Sequence, residues 1–352
     1  MKDQVHFRLR AFAKINLGLK ILARRPDGYH EIRTVYQTVG LSDKLEISIS
    51  PSSSACSAEC GIEVVADDPA VPSGPSNLAY RAAELWKQTR GFRGGIKVQL
   101  TKRIPAGSGL GGASSDAAAT ILGLECLTGN RLDLTRRVEL AAGLGSDVPF
   151  FLWGGRALGC GRGEEIYPLG DLLQRHCLIA FPGFSVSTTE AYQEADRRLG
   201  ASRSGLGFGG AGFAKENGEM GSAFRESRTP NREPPPAAST IENSTLTDRD
   251  KGRKIVVFGE RPHFSLEVWG PAENDFEQVV FAKWPELARL KRRLIRAGAE
   301  TASLTGSGSA VYAVFASARK LTLASKLIPA HWQAFPTRRV SRAEYLKAVV
   351  SG

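Results

Sequence analysis

No stretch of this 352-residue chain approaches eighteen uninterrupted apolar residues, so nothing in it is long enough to cross a bilayer as a helix. The opening MKDQVHFRLRAFAKINLGL is broken by charge before an apolar core can form, and predicts no secretory signal. Cysteine is scarce and odd in number: Cys56, Cys60, Cys126, Cys160 and Cys177 lie scattered along the chain. That excludes a disulfide framework and points to a reducing, cytoplasmic setting. Cys56 and Cys60 find no CxxC and no HxxxH elsewhere to complete a metal site, and read as free thiols. With 42% hydrophobic and 24% charged residues, wholesale disorder is excluded as well. A chain of this length predicts two domains of about 150 residues or somewhat more each.

Acidic residues are the scarcer charge, 36 against 47 basic, for a net +11. Residues 281–352 alone hold 13 Lys/Arg against 3 Asp/Glu. Two partners suit such a bias: a nucleic acid, or a polyphosphorylated small molecule drawn in by a basic exterior. The run KRRLIR taken alone also reads as a solvated helix face.

Val5, Phe7, Leu9 and Ala11 alternate, FAKINLGLKIL continues the extended run, and Leu45, Ile47 and Ile49 alternate again, which predicts antiparallel strands with one buried face. Pro26-Asp27-Gly28 sets a turn between them. NLAYRAAELWKQTRG predicts a helix capped by Asn77, with Leu78, Ala82, Leu85 and Trp86 inward and Gly91 as its stop. IKVQLTKRIP predicts a strand, and LDLTRRVELAAGLG a further helix. VPFF reads as a strand opening a hairpin that runs to EEIYPL, and HCLIAF as a buried strand. Residues 201–253 carry only seven large apolar or aromatic residues beside eight glycines and four prolines, and predict a flexible insertion. After it, one helix over NDFEQVVFAKWPELARLKRRLIRAG, a strand over ASLTGSGSAVYAVF and a closing helix near 319–327 are expected.

The strongest chemical signal is PAGSGLGGASSDAAA, in which Gly107, Gly109, Gly111 and Gly112 lie between a strand and an alanine-rich helix opened by Ser114 and Ser115. A helix start offers free N–H donors and positive potential, and glycines let backbone wrap an anion closely. This is a construction for a nucleotide triphosphate. Gly107-x-Gly109-x-x-Gly112 also matches a dinucleotide fingerprint, but no second parallel strand with an acidic end follows its helix. A Walker A loop is excluded by the missing Lys-Ser/Thr. Asp147, after Gly145 and Ser146 and before Val-Pro-Phe-Phe, reads either as a desolvated general base or as a turn residue. Lys14 and Asn16 share a parity and would form a polar spot on an apolar strand. Thr305-Gly306-Ser307-Gly308-Ser309 reads as a second glycine loop or a plain turn.

Taken together, PAGSGLGGASSDAA resembles the phosphate loop of the GHMP kinases. The ordered blocks AFAKINLGLKILARRPDGYHEIRTVYQTV, the loop, GSDVPFFLWGGRALGCGRGE, NDFE and LTGSGSAVYAVF resemble, more narrowly, the kinases of 4-diphosphocytidyl-2-C-methylerythritol. The resemblance covers the chain apart from about residues 195–255. It implies an α+β fold: an N-terminal domain over 1–170 like ribosomal protein S5 domain 2, and a ferredoxin-like α/β sandwich over 171–352. It implies a phosphate loop at 105–116, with Pro105, Ala106, Gly107, Ser108, Gly109, Leu110, Gly111, Gly112, Ala113, Ser114 and Ser115 on ATP. It implies Mg²⁺ as cofactor (Ser115 a candidate ligand), and Lys14 and Asp147 as catalytic residues. Asn16, Tyr29, His30, Thr188 and Tyr192 would meet the substrate, with aromatic rings stacking a flat cytosine. Ala113 departs from the glycine or serine often found there, a change expected to cost nothing where φ is negative. The implied partner is the small-molecule substrate alone, with neither nucleic acid nor membrane, in a monomer or homodimer. Two alternatives stand beside this: another GHMP kinase, for mevalonate or homoserine, which would have no use for DGYH; and an RNA-binding module, which would have no use for Asp147.

Overall fold

The computed structural model describes residues 6–50, 61–205, 246–247, 254–255 and 273–350. The chain begins with a long antiparallel hairpin, β1 (His6–Arg24) against β2 (His30–Ser50). Its register slips between Phe12 and Ala13 and between Asn16 and Gly18, so two bulges flank Lys14 and Asn16. β3 (Ile62–Ala66), α1 (Leu78–Arg90) and β4 (Gly95–Thr101) form a crossover with β3 and β4 parallel, and β4 then pairs with β2. Asn77 caps α1 by accepting from the Ala79 amide at 2.8 Å, and Gly91 ends the helix in the left-handed region, as expected. The inward face is Ala79, Ala82, Ala83 and Trp86, whereas Leu78 and Leu85 are only half-buried at its edge. Trp86 is wholly enclosed. Trp86→Ala is expected to cost about 3–5 kcal/mol of stability, read as a lowered denaturant midpoint at unchanged slope.

α2 (Gly112–Thr128) has no polar face, because β1, β2, α1 and α3 (Leu134–Leu144) enclose it. Its small residues make this possible: a Cβ at Gly123 would lie 2.6 Å from Ile47 and 2.7 Å from Leu9. The segment Pro149–Leu152, read from sequence as a strand, is a turn of 3-10 helix with Pro149 in its first turn. Apolar content drove that reading; all four residues are indeed buried, but proline pre-organised the helical turn. β5 (Arg156–Cys160) and β6 (Glu165–Pro168) complete the sheet in the order β3-β4-β2-β5-β6, with β1 paired to β2.

The second sheet is antiparallel, β10 (Thr301–Leu304), β11 (Val311–Phe315), β7 (His176–Phe181) and β12 (Gln333–Arg338) in that order. Between β7 and β10 come α4 (Thr188–Gly205), the two-residue strands β8 (Leu246–Thr247) and β9 (Lys254–Ile255), α5 (Phe276–Lys283) and α6 (Pro285–Arg296). α7 (Ala318–Ser325) joins β11 to β12, which makes a ferredoxin-like βαββαβ sandwich. The stretch expected as one helix is two, because Pro285 opens α6 and cannot continue α5. The stretch expected as one strand is a hairpin, folded at 305–310. β12, carrying Pro336, takes the sheet edge, where a missing N–H is tolerated. The insertion expected over 201–253 lies largely outside the described residues, as do Cys56 and Cys60; α4 carries the chain through Gly205.

The apolar runs HCLIAF and AVYAVF follow from burial on both faces. Leu178, Ala180, Val311 and Ala313 join the core under the helices. Cys177, Ile179, Tyr312 and Val314 instead pack with Ala13, Ile15 and Val39 of the first hairpin. α8 (Arg342–Val350) returns to the first sheet, adding Tyr345 and Val349 to its core. Lys14 and Asn16 thus sit at the polar rim of the seam between two sheets.

Candidate active site

That seam opens into a cavity of about 920 Å³. On its walls meet Lys14, Asn16, Tyr29, His30, all of residues 105–114, Asp147, Thr188 and Tyr192, drawn from distant parts of the chain. Ser115 is the exception: it lies just beneath, buried in the first turns of α2.

The glycine loop wraps toward the cavity through Gly107, Gly109 and Gly111, all with positive φ. It is pinned at four points: Ser108 Oγ donates to Pro105 O at 2.7 Å, Ala310 N to Ser108 O at 3.1 Å, Thr305 Oγ1 to Gly109 O at 3.2 Å, and Lys14 N to Leu110 O at 2.9 Å. Among the described residues no side chain caps the start of α2 at Gly111, which leaves the N–H groups of the first turn able to meet an anion. Ala113 lies within the helix, and its departure from glycine is accommodated there.

Lys14 is 3% exposed, with its ammonium 3.3 Å from Asp147 Oδ2 and 2.8 Å from Asn16 Oδ1. It does not snorkel to solvent. Tyr36 donates its hydroxyl to Asp147 Oδ1 at 2.9 Å; burial, reinforced by the Asp147 charge, holds that phenol well above its usual range, so it stays a neutral donor. Asn16 is held by protein groups: Oδ1 also accepts from Gly306 N at 2.8 Å and Thr305 Oγ1 at 3.2 Å, while Nδ2 donates to Thr34 Oγ1 at 2.7 Å. The Thr305–Ser309 turn, expected either as a loop or as a plain turn, therefore holds Asn16 in place, and Ser307 Oγ lies 3.0 Å from Thr188 Oγ1.

At the far end His30 is buried, its Nε2 2.7 Å from Asp196 Oδ1. Its ring stacks on Tyr192 at 4.3 Å and 11°. Tyr29 is 53% exposed, with the Arg162 guanidinium 4.6 Å from its ring centre. The two walls expected for a flat base are thus Tyr29 and a His30–Tyr192 stack, rather than two free rings.

The basic last fifth of the chain does not line this cavity: of residues 281–352 only Gly306 and Ser307 do. On α6, Leu287, Leu290 and Leu294 face inward, which turns Arg292, Arg293 and Arg296 out to solvent. Sequence reasoning missed Tyr36, Asp196, Arg162 and a buried cluster of Asp43, Lys102 and Asp116 beside the loop. Lys102 sits three residues before Pro105, which was the one local hint.

Among the described residues no three His, Cys, Asp or Glu side chains gather to hold a metal ion. Ser115 Oγ is, however, buried without a hydrogen-bond partner among them. A hard-oxygen donor at a phosphate loop fits Mg²⁺, which takes few protein ligands beside substrate phosphates. No described helix is long and apolar enough to cross a membrane.

A glycine loop at a helix start, a buried lysine paired with a half-buried aspartate and a ferredoxin-like second half define a small-molecule kinase of the GHMP class. Family models agree: GHMP kinases N terminal domain matches residues 77–155, and GHMP kinases C terminal matches 265–332. The chain is 39% identical to the 4-diphosphocytidyl-2-C-methyl-D-erythritol kinase of Solibacter usitatus, over 90% of this chain and 83% of that one. It is 35% identical to its counterpart in Moorella thermoacetica, over 88% and 90%. A crystal structure of 4-(cytidine 5'-diphospho)-2C-methyl-D-erythritol kinase superposes with a TM-score of 0.64 at 29% identity, over 95% of this chain and 99% of that one. Homoserine kinase from Cytophaga hutchinsonii shares the fold, with a TM-score of 0.58 at 17% identity, over 97% and 96%. The chain belongs to the 4-diphosphocytidyl-2-C-methyl-D-erythritol kinase family.

Proposed function

We propose that this cavity transfers the γ-phosphoryl group of ATP to the 2-hydroxyl of 4-diphosphocytidyl-2-C-methyl-D-erythritol, with Asp147 as general base and Lys14 as the positioning cation. The observation that carries the reading is the 3.3 Å Lys14–Asp147 pair in one cavity with the uncapped start of α2. The loop amides and the helix dipole hold the triphosphate. Asp147 accepts the hydroxyl proton as the new O–P bond forms and the bond to the β-phosphate bridge breaks, releasing ADP. Lys14 offsets the charge that passes between them. Asn16, whose Oδ1 accepts from Lys14 and the Thr305 turn, orients the ammonium and reaches the substrate from the cavity wall. Ser115 would be one side-chain ligand of Mg²⁺, which when bound would neutralise charge on the phosphate oxygens.

The cytidine lies at the other end, against Tyr29 and the His30–Tyr192 stack. With Nε2 engaged by Asp196, His30 keeps Nδ1 for the base edge. His30→Ala is expected to raise KM for the cytidine substrate about tenfold or more with kcat little changed, since a base contact of this kind is worth about 1–3 kcal/mol. An unchanged KM would make the DGYH block purely structural. The assignment as a whole is tested by coupled ADP release with the cytidine substrate, mevalonate and homoserine in parallel. Turnover is expected with the first alone; turnover on either of the others instead would reassign the substrate, and none on any would remove the kinase. The setting is expected to be the cytoplasm, where ATP and this phosphorylated intermediate meet.

A further inference from the structure

Where β4 ends and the loop begins, Lys102 extends its ammonium to 2.5 Å from Asp43 Oδ2 and 2.5 Å from Asp116 Oδ2. The three side chains are 8%, 0% and 4% exposed. The two carboxylates are not equivalent. Asp43 is committed to the backbone, with Oδ1 accepting from the amides of Arg103 at 2.5 Å and Ile104 at 2.8 Å. Asp116 Oδ1 is buried with no partner among the described residues, although Asp116 and Lys102 both line the active cavity. One ammonium against two carboxylates leaves a net negative charge beside a loop built for phosphates. That sign repels a bare nucleotide and suits the cation that travels with it. Mg²⁺ sites of this kind use one or two carboxylates and complete their shell with phosphate oxygens and water. Lysine, a point charge on a flexible stem, can change partners where an arginine fork could not.

Resting on the reading of this loop as a nucleotide site, we infer that Lys102 and Asp116 form an exchange pair. In the free protein they neutralise one another; when nucleotide enters with its divalent cation, Asp116 takes the cation and the Lys102 ammonium turns to the phosphates. Asp43 stays on the backbone and keeps Lys102 at the loop. The role differs from a structural clamp joining β2, β4 and α2, and the two make opposite predictions for nucleotide without metal.

The test uses the full chain, a non-hydrolysable ATP analogue and Mn²⁺ as the metal probe, with Mn²⁺ followed by electron paramagnetic resonance and the analogue by calorimetry. Asp116→Asn, which preserves shape, is expected to weaken Mn²⁺ in the presence of analogue tenfold or more, and to tighten metal-free analogue. Lys102→Gln is expected to weaken the analogue with Mn²⁺ present tenfold or more, and to change metal-free analogue little, since without the cation Lys102 stays on Asp116. Unchanged Mn²⁺ affinity in Asp116→Asn overturns the proposal, and so does an equal loss of analogue affinity with and without metal, the mark of a clamp. Should Asp116→Asn not melt cooperatively, the clamp is also favoured, and Lys102→Gln leaving the analogue unaffected in the presence of Mn²⁺ would close the case against exchange. A wild-type chain that binds no analogue at all would instead count against the nucleotide reading itself.

Discussion

Asp147→Asn is expected to lower kcat at least about 100-fold, the lower range for removing a general base, while leaving affinity for a non-hydrolysable ATP analogue within about twofold. In free energy this is about 2.7 kcal/mol of transition-state stabilisation. The geometry separates the two effects. The Tyr36 hydroxyl reaches Asp147 Oδ1, and an asparagine carbonyl accepts that hydrogen bond equally well. What disappears is the oxygen facing Lys14, with its charge and its ability to hold a proton. The buried Lys14 ammonium would then keep only the Asn16 carbonyl among its two side-chain oxygen partners. The nucleotide loop is pinned through the Lys14 backbone amide and not through its side chain, so ATP affinity has no cause to fall with it. Single-turnover phosphoryl transfer beside calorimetric analogue binding checks both. Turnover retained within tenfold removes Asp147 as base, and parallel loss of binding and turnover makes it a scaffold residue.

Features written in consecutive residues are legible in the sequence alone. The alternation of β1, the Asn77 cap, the Gly91 stop and the glycine loop each depend on neighbours within a few positions, and each forms where the residues predict. Lys14 and Asn16 share a direction because strand parity survives between the two bulges. What failed was of two kinds. Apolar content without period does not separate a strand from a helical turn, hence the error at Val148–Phe151. Side chains that meet across the chain leave no local trace: Tyr36 and Asp147 are 111 residues apart, Lys102 and Asp43 are 59, and Asn16 and Gly306 are 290. Tyr36 stands in VYQTV as one more strand residue, and only the pairing of β2 with β5 and the placement of the 3-10 turn make it a neighbour of Asp147. The charge bias misled for the reverse reason. Counting arginines in residues 281–352 ignores the leucine stripe that turns those on α6 away from the cavity.

A side chain at either of two loop glycines is expected to abolish nucleotide binding, lowering analogue affinity by about 100-fold or more, and the two positions fail for different reasons. At Gly109, with φ of +82°, a Cβ would stand 2.2 Å from the Thr305 carbonyl oxygen. That oxygen belongs to the backbone of the turn that holds Asn16, so neither partner can yield without moving the Lys14 ammonium as well. Gly109→Ala should therefore depress analogue affinity and turnover together. At Gly111, with φ of +74°, a Cβ would lie 3.0 Å from the Phe151 ring and 3.1 Å from Lys14 Cγ. Any side chain there is strained by the positive φ, and alanine also asks for a few tenths of an ångström; a β-branched residue is strained further, at about 1–3 kcal/mol before any contact is counted. Gly111→Val should accordingly lose more affinity than Gly111→Ala, a ranking that mere crowding of the cavity mouth would not produce at a position facing inward. Titration calorimetry of the three variants, with melting curves to establish that each is folded, decides the matter: intact analogue affinity in Gly111→Val would remove the loop from the nucleotide site. A larger loss in the valine variant than in the alanine one would tie the anion to a segment of backbone that glycine shapes.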